Sequence, residues 1–432
     1  MAKPGDRVIV VTQDEKIEGV LMPEEQDFIV LKLDTGYNMG IAKNRVREIQ
    51  AVKEHKEKPA AATKAESKKG LPTIAILHTG GTIASKVDYE TGGVVAKFEP
   101  NELLALFPEL KDIANIRSRL VRQMFSEDMR FAHYNILAQE IAKEIQQGVD
   151  GIIVTHGTDT LHYTSAALSF MLNNLGVPVI LVGAQRSSDR GSTDAALNLV
   201  SAAFFITASK DFAEVAVCMH ESTNDDWCVI LPGTKSRKMH SSRRDAFQAI
   251  NVTPWARVNI KEKKSDLLRT GYRKRAKTSV MVRPFKEDLK LGLLKAHTNM
   301  YVSEFEAYKG FAGLIVEGTG LGHVPLNKID EFTEEHATIA NAIKNLVRGG
   351  TVVAATTQTI SGGIDMNVYS TGRKMQELGI IGNLTDMTPE TAFIKLAWLL
   401  SNAPKDKIKE LYATNLVGEI SRLEKIEPKK FA

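Results

Sequence analysis

The stretch Gly151-Ile152-Ile153-Val154-Thr155-His156-Gly157-Thr158-Asp159-Thr160 decides the architecture. Its apolar run, Gly151 to Val154, reads as a buried strand, the next residues turn on glycine, and a helical pattern follows from Thr160 to Asn174. A second stretch, Leu77-His78-Thr79-Gly80-Gly81-Thr82-Ile83-Ala84-Ser85, has the same order, with an apolar run from Thr73 to Leu77 breaking on glycine. Both strand ends are therefore expected on one edge of a sheet. Open parallel sheets bind ligands beyond the carboxyl ends of their strands, where glycine lets backbone approach closely. Thr82, Thr158, Asp159 and free backbone N–H groups would converge there, and a hydroxyl nucleophile needs a base and an orienting acid nearby.

Outward from these motifs the alternation continues. Val177 to Val182 leads through Gly183-Ala184-Gln185-Arg186 into a helical pattern from Ser192 to Phe205, and Val215 to Met219 and Val229 to Leu231 read as further strands. Strand alternating with helix predicts a doubly wound α/β domain over residues 71–260. Apolar strands return at Val280, Leu291, Leu314 and Val352, with helical patterns at Ile339 to Arg348 and Glu390 to Leu400, and predict a second, smaller α/β domain over 278–425. Between the two lies a basic insertion, 261–277, with Lys263, Lys264, Arg269, Arg273, Lys274 and Arg275. Ahead of both, residues 1–51 alternate as short strands around Val8, Ile17, Ile29 and Tyr37. They predict a small β-barrel of SH3 or Sm type, an interaction module without His or Cys. Residues 52–70, rich in Lys, Glu and Ala, read as a linker. The fold class expected is thus α/β, with a small N-terminal β-barrel followed by two α/β domains.

Composition narrows the class. A chain of 432 residues exceeds one ordinary core, and 43% hydrophobic with 25% charged residues describes a soluble protein. A net charge of +4 is too mild to announce a nucleic-acid binder. The two cysteines, Cys218 and Cys228, read as reduced core thiols rather than a disulfide or a metal pair. No metal site is expected. With no signal-like or membrane-length apolar run, a cytoplasmic location is expected.

For threonine-based amide hydrolysis the chemistry requires a hydroxyl, a group to remove its proton, and donors for the oxyanion. Thr82 and Thr158 supply hydroxyls, and Asp159, at the expected start of a helix, is open both to a catalytic and to a capping reading. A basic run, Lys235 to Phe247, places five cations within ten residues and by itself reads as a solvated face.

The runs Thr79-Gly80-Gly81-Thr82-Ile83-Ala84 and His156-Gly157-Thr158-Asp159-Thr160 resemble the two signatures of the asparaginase and glutaminase family, without a substitution. The resemblance implies that Lys238, seven residues before Asp245-Ala246-Phe247, joins Thr158 and Asp159 as one triad, with Thr82 as the first threonine. The residues leave open which threonine attacks, and Thr82 is the one expected. It further implies that Phe125-Ser126-Glu127-Asp128-Met129 is the loop that holds the α-carboxylate and α-amino end of the substrate, with Ser126 and Asp128 as binding residues. Ala184 and Asp194 are expected to shape the pocket. One departure stands out: Tyr89 lies closer to Thr82 than the family's loop tyrosine, and Gly92-Gly93 falls where that tyrosine is expected.

The N-terminal barrel, the linker and the basic insertion resemble the archaeal branch of that family formed by the D subunits of glutamyl-tRNA(Gln) amidotransferases. That resemblance implies a glutaminase whose ammonia passes to a partner, the amidotransferase E subunit, which converts Glu-tRNA(Gln) to Gln-tRNA(Gln) with ATP and Mg. It also implies a homodimeric core within a heterotetramer. No cofactor is expected on this chain, which lacks a G-x-x-x-x-G-K-[ST] loop, an H-E-x-x-H motif and a G-x-S-x-G elbow. A stand-alone L-asparaginase is the alternative, and a non-catalytic binding protein ranks last because all four motif residues are intact.

Overall fold

A computed structural model describes residues 2–23, 26–33, 38–53, 68–80, 86–87, 94–95, 107–186 and 193–421. Tyr37, Thr82, Tyr89, Gly92, Gly93 and most of the expected linker lie outside these residues.

The N-terminal unit is one five-stranded antiparallel sheet built from β1 (Arg7–Thr12), β2 (Lys16–Leu21), β3 (Phe28–Lys32), β4 (Asn38–Ala42) and β5 (Val46–Lys53), in the order β4-β3-β2-β1-β5. Alternation along β1 buries Val8 and Val10, which pack with Leu31 and Ile41 into a small separate core. Strand β5, which extends to Lys53, is not among the strands the sequence pattern predicts; its pairing with β1 is irregular at both ends, and its apolar residues Val46, Ile49, Ala51 and Val52 do not alternate.

The main sheet has eight strands. Along the chain its members are β6 (Thr73–Gly80), then β9 (Asn115–Met124), β10 (Gly151–Thr155), β12 (Val179–Val182), β13 (Val215–His220), β14 (Cys228–Pro232), β17 (Ala256–Asn259) and β18 (Lys264–Leu267). Four short strands pair outside it: β7 (Lys86–Val87) with β8 (Val94–Val95), and β11 (Leu172–Asn173) with β19 (Met281–Val282). A further hairpin joins β15 (Ser236–Lys238) to β16 (Phe247–Ala249). The order in the main sheet is β18-β17-β14-β13-β12-β10-β6-β9, with β9, β6, β10, β12 and β13 parallel. Strand β10 is buried along its whole length, as the continuous apolar run requires of a strand covered on both faces. Helices Phe131–Gln146 and Leu161–Met171 contribute to one core with the C-terminal domain, and helix Ala195–Ala208 to a second core.

The helix expected from Thr160 to Asn174 spans only Leu161–Met171. It stops because Leu172 and Asn173 pair with Val282 and Met281, and Asn174 takes φ 56°, a left-handed conformation that asparagine tolerates. The sheet continues past residue 260, since part of the basic insertion forms β18 and pairs with β17 from Asn259↔Lys264 to Ala256↔Leu267. The C-terminal domain has a three-stranded parallel sheet of β20 (Leu291–Lys295), β21 (Gly313–Gly318) and β22 (Val352–Thr357), in that order, with helices Glu335–Arg348 and Pro389–Asn402 beside it. Among the described residues no helix is long and apolar enough to cross a membrane.

Candidate active site

Parallel pairing of β6 with β10 sets His78 opposite Thr155, so Thr79 and Gly80, the last residues of β6, lie beside the His156-Gly157-Thr158 turn. His78 fixes this edge. Its Nδ1 is 2.8 Å from Thr155 Oγ1 and its Nε2 2.8 Å from Ser118 Oγ, which ties β6 to both neighbouring strands. Thr79 Oγ1 donates to the Thr155 carbonyl at 3.0 Å. Gly80 has φ 102°, and a Cβ there would run into the backbone of Met124, so only glycine fits the irregular end of β6 where it pairs with β9.

The second turn is held from below by His156, which is fully buried. Its Nδ1 lies 2.7 Å from the Gly157 carbonyl, which can only accept, so Nδ1 carries the proton and Nε2 accepts from Thr164 Oγ1 at 2.8 Å. Burial lowers the pKa of His156 to about 4, so the ring is neutral at ordinary pH. Thr160 Oγ1 donates to the Ser126 carbonyl at 2.6 Å. Gly157 packs so closely on Ser126 that a Cβ would sit 2.9 Å from Ser126 Oγ. These contacts bring Ser126, which is buried, against the turn; Asp128 lies exposed on the same short 3-10 turn, Ser126–Asp128.

Lys238 reaches this turn from β15. Its Nζ is 2.9 Å from Thr158 Oγ1 and 2.6 Å from Asp159 Oδ1. Three of the four residues expected to act together, Thr158, Asp159 and Lys238, thus form one hydrogen-bonded group; the fourth, Thr82, falls outside the described residues. The capping reading of Asp159 does not hold, because the residue at the helix N-cap is Thr160 and the Asp159 carboxylate is turned to Lys238. Thr158 is buried, and Gly183 at the end of β12 crowds it: a Cβ on Gly183 would lie 2.7 Å from Thr158 Cγ2.

Asp194, expected near the pocket, acts on the backbone. Its buried carboxylate accepts from Gln185 N at 3.0 Å, from Arg186 N at 3.0 Å and from Asn198 Nδ2 at 3.2 Å, which fixes the Gly183-Ala184-Gln185-Arg186 turn above helix Ala195–Ala208. Cys218 and Cys228 are buried, unbridged thiols on β13 and β14.

The basic insertion is largely engaged with its own sheet. Arg275 donates to the carbonyls of Asp150 at 2.7 Å and Ile206 at 2.5 Å, Arg269 stacks over Trp255 at 4.2 Å, and Asp266 lies 3.1 Å from Arg257 Nε on β17. These side chains fasten the segment to the domain.

The chain is similar over most of its length to known proteins. Residues 73–269 match the family model for the N-terminal domain of asparaginase, residues 290–412 the glutaminase/asparaginase C-terminal domain, and residues 2–52 the GatD N-terminal domain. The chain is 46% identical over 426 residues to the D subunit of the glutamyl-tRNA(Gln) amidotransferase from Pyrococcus furiosus, covering 96% of this chain and 94% of that protein. It is 42% identical over 424 residues to the corresponding protein from Methanococcus maripaludis, covering 96% and 98%. Among solved structures it resembles the thermostable L-asparaginase from Thermococcus kodakarensis, with a TM-score of 0.70 and 27% identity over 81% of this chain and 99% of that one. L-asparaginase I from Vibrio cholerae matches with a TM-score of 0.69 and 26% identity, over 82% and 100%.

Proposed function

The chain belongs to the family of glutamyl-tRNA(Gln) amidotransferase D subunits, and from that premise we propose that it is the glutaminase of a tRNA-dependent amidotransferase, releasing ammonia for a partner protein. The observation that carries this reading over a stand-alone L-asparaginase is coverage. The amidotransferase relatives span 96% of the chain and the solved L-asparaginases 81–82% of it, while residues 2–52 match the GatD N-terminal domain and lie in neither asparaginase domain.

The chemistry assigned to the site is amide hydrolysis in two steps. A threonine oxygen adds to the amide carbon of glutamine and the C–N bond breaks, the departing nitrogen leaving as ammonia with the hydroxyl proton. Water then cleaves the acyl ester, releasing glutamate and restoring the threonine. Thr82 is the threonine assigned to the attack. Thr158, Lys238 and Asp159 form the proton-handling group: Thr158 takes the Thr82 proton as neutral Lys238 takes that of Thr158, Asp159 orients Lys238, and the same relay run in reverse delivers the proton to the departing nitrogen, in support of which stand the 2.9 Å and 2.6 Å contacts of Lys238 Nζ. Ser126 and Asp128 are assigned to the α-carboxylate and α-amino end of glutamine. Backbone N–H groups of the two glycine turns are assigned to the oxyanion. The amidotransferase E subunit, with ATP and Mg, is the proposed consumer of the ammonia, and Glu-tRNA(Gln) the acceptor it amidates.

The experiment that tests this reading is ammonia rescue. A complex carrying Lys238→Met should fail to form Gln-tRNA(Gln) from glutamine and should form it from added ammonium chloride. Failure with both nitrogen donors, or undiminished use of glutamine, would contradict the assignment.

A further inference from the structure

The strand that carries Lys238 is held by the C-terminal domain. Thr391 Oγ1 donates to the Thr234 carbonyl at 2.8 Å, and the buried Lys235 ammonium lies 2.7 Å from Asp386 Oδ2. Next along, Arg237 Nε is 3.2 Å from Glu390 Oε1. Successive side chains on a strand point to opposite faces, so while Lys238 turns to Thr158 and Asp159, Arg237 turns away, to the C-terminal domain. The same Glu390 oxygen lies 3.8 Å from His162 Nε2, in the first turn of the helix that follows Asp159. One carboxylate therefore touches both halves of the group that meets at Lys238.

Glu390 is well placed to stay charged. It occupies the first turn of helix Pro389–Asn402, whose N-cap Thr388 accepts from Thr391 N, and the helix N-terminus favours an anion. Burial pushes its carboxyl up, but the neighbouring His162 ring and the Arg237 guanidinium outweigh this and hold it below the usual range. Arg237, Glu390 and His162 are largely buried, with 22%, 10% and 7% of their side chains exposed. A buried ion pair of this kind adds little net stability relative to a hydrophobic pair, whereas its fixed geometry orients what it is attached to.

We infer that Glu390 is a positioning residue for amide hydrolysis, bridging Arg237 beside Lys238 to His162 below Thr158 and Asp159, so that the C-terminal domain sets the distance between the lysine and the threonine. This rests on the reading of Lys238, Thr158 and Asp159 as the hydrolytic group. Glu390 itself touches none of the three; it acts through the elements that carry them.

The test compares Glu390→Ala and Arg237→Lys with the parent, as full-length chains with the partner protein present. Two quantities are read: kcat and KM for ammonia release from glutamine, and the rate at which acetic anhydride acetylates Lys238, followed by peptide mass spectrometry. A displacement of the lysine should lower kcat on the order of 10- to 100-fold with KM within about twofold. It should also speed Lys238 acetylation several-fold, because Nζ is released from Thr158 and Asp159. Both changes are required, and the absence of either overturns the inference, as does a rise in KM at constant kcat. Should Glu390→Ala fail to fold, Arg237→Lys carries the test alone, since it keeps the charge and removes the planar guanidinium. A parent that releases ammonia from neither glutamine nor asparagine would count against the glutaminase reading, and Lys238 acetylation alone would then decide the role of Glu390.

Discussion

Lys238 and Asp159 make an asymmetric pair: Nζ lies 2.6 Å from Oδ1, yet the lysine side chain is 11% exposed and the aspartate 65%. Water screens the carboxylate, so the pair contributes within about 1 kcal/mol to folding, and its value lies in the direction it gives the lysine. Lys238→Met should therefore lower glutamine hydrolysis by about 10²–10⁴-fold, the usual contribution of a general base, with the urea midpoint almost unmoved. Steady-state kinetics together with urea titration checks both halves; a variant with near-parental turnover would remove Lys238 from the mechanism.

Gly183→Ala should disturb Thr158 from behind. The added Cβ would meet Thr158 Cγ2 at 2.7 Å and Leu161 Cδ1 at 3.1 Å, so the threonine has to move. A stability loss of about 1–3 kcal/mol is expected from overpacking, with a fall in kcat larger than any change in KM. Gly157→Ala presses instead on Ser126, and because Ser126 is assigned to the substrate's α end, its main effect should be on KM.

Acid should destabilise the fold through two histidines. Burial lowers the pKa of His78 and of His156 to about 4 each, from 6.5. Between those values the unfolded chain binds protons that the folded chain refuses, so this stability is complete above about pH 6.5 and is lost as pH falls towards about 4. Each histidine accounts for about 3 kcal/mol across that window. Urea midpoints should drop from about pH 7 to about pH 5, and a folded His78→Asn variant should show a shallower slope. An unchanged slope would mean that His78 titrates alike in both states.

Glu419→Gln should weaken the C-terminal domain without touching the site. Lys395 Nζ and Glu419 Oε1 are 2.6 Å apart and both side chains are 0% exposed, while Glu419 Oε2 accepts from Val417 N at 2.7 Å. The amide keeps an acceptor for Val417 but leaves the lysine charge uncompensated in the core, at a cost of about 3–5 kcal/mol by urea denaturation. A loss within experimental scatter would show that Lys395 discards its proton on folding.

The five cations between Lys235 and Arg244 show where sequence stops being legible. Along the chain they are one basic run. In the fold each finds its own partner: Lys235 meets Asp386, Arg237 meets Glu390, Lys238 meets Thr158 and Asp159, Arg243 meets Asp245, and Arg244 meets Asp225. Apart from Asp245 these partners are distant in sequence, and no local pattern distinguishes one lysine from the next; only family resemblance singles out Lys238. The strand, turn and helix around Gly157, by contrast, are legible because hydrophobic run, glycine and helical period sit within one short window. The early stop of helix Leu161–Met171 is hidden, since the strand that ends it, β19, comes from far along the chain. Glu390 gives no signal at all, being one acidic residue in the first turn of a largely buried helix.

The site is assigned to glutamine-dependent amidation rather than free amide breakdown, and the most direct measurement is the rate of ammonia release from glutamine and from asparagine. It is made on the purified chain alone, then with the amidotransferase E subunit and Glu-tRNA(Gln). Slow release by the chain alone, and strong stimulation confined to glutamine in the complex, is the predicted result. Rapid hydrolysis of asparagine, indifferent to the partner and the tRNA, would contradict it and make the chain an asparaginase.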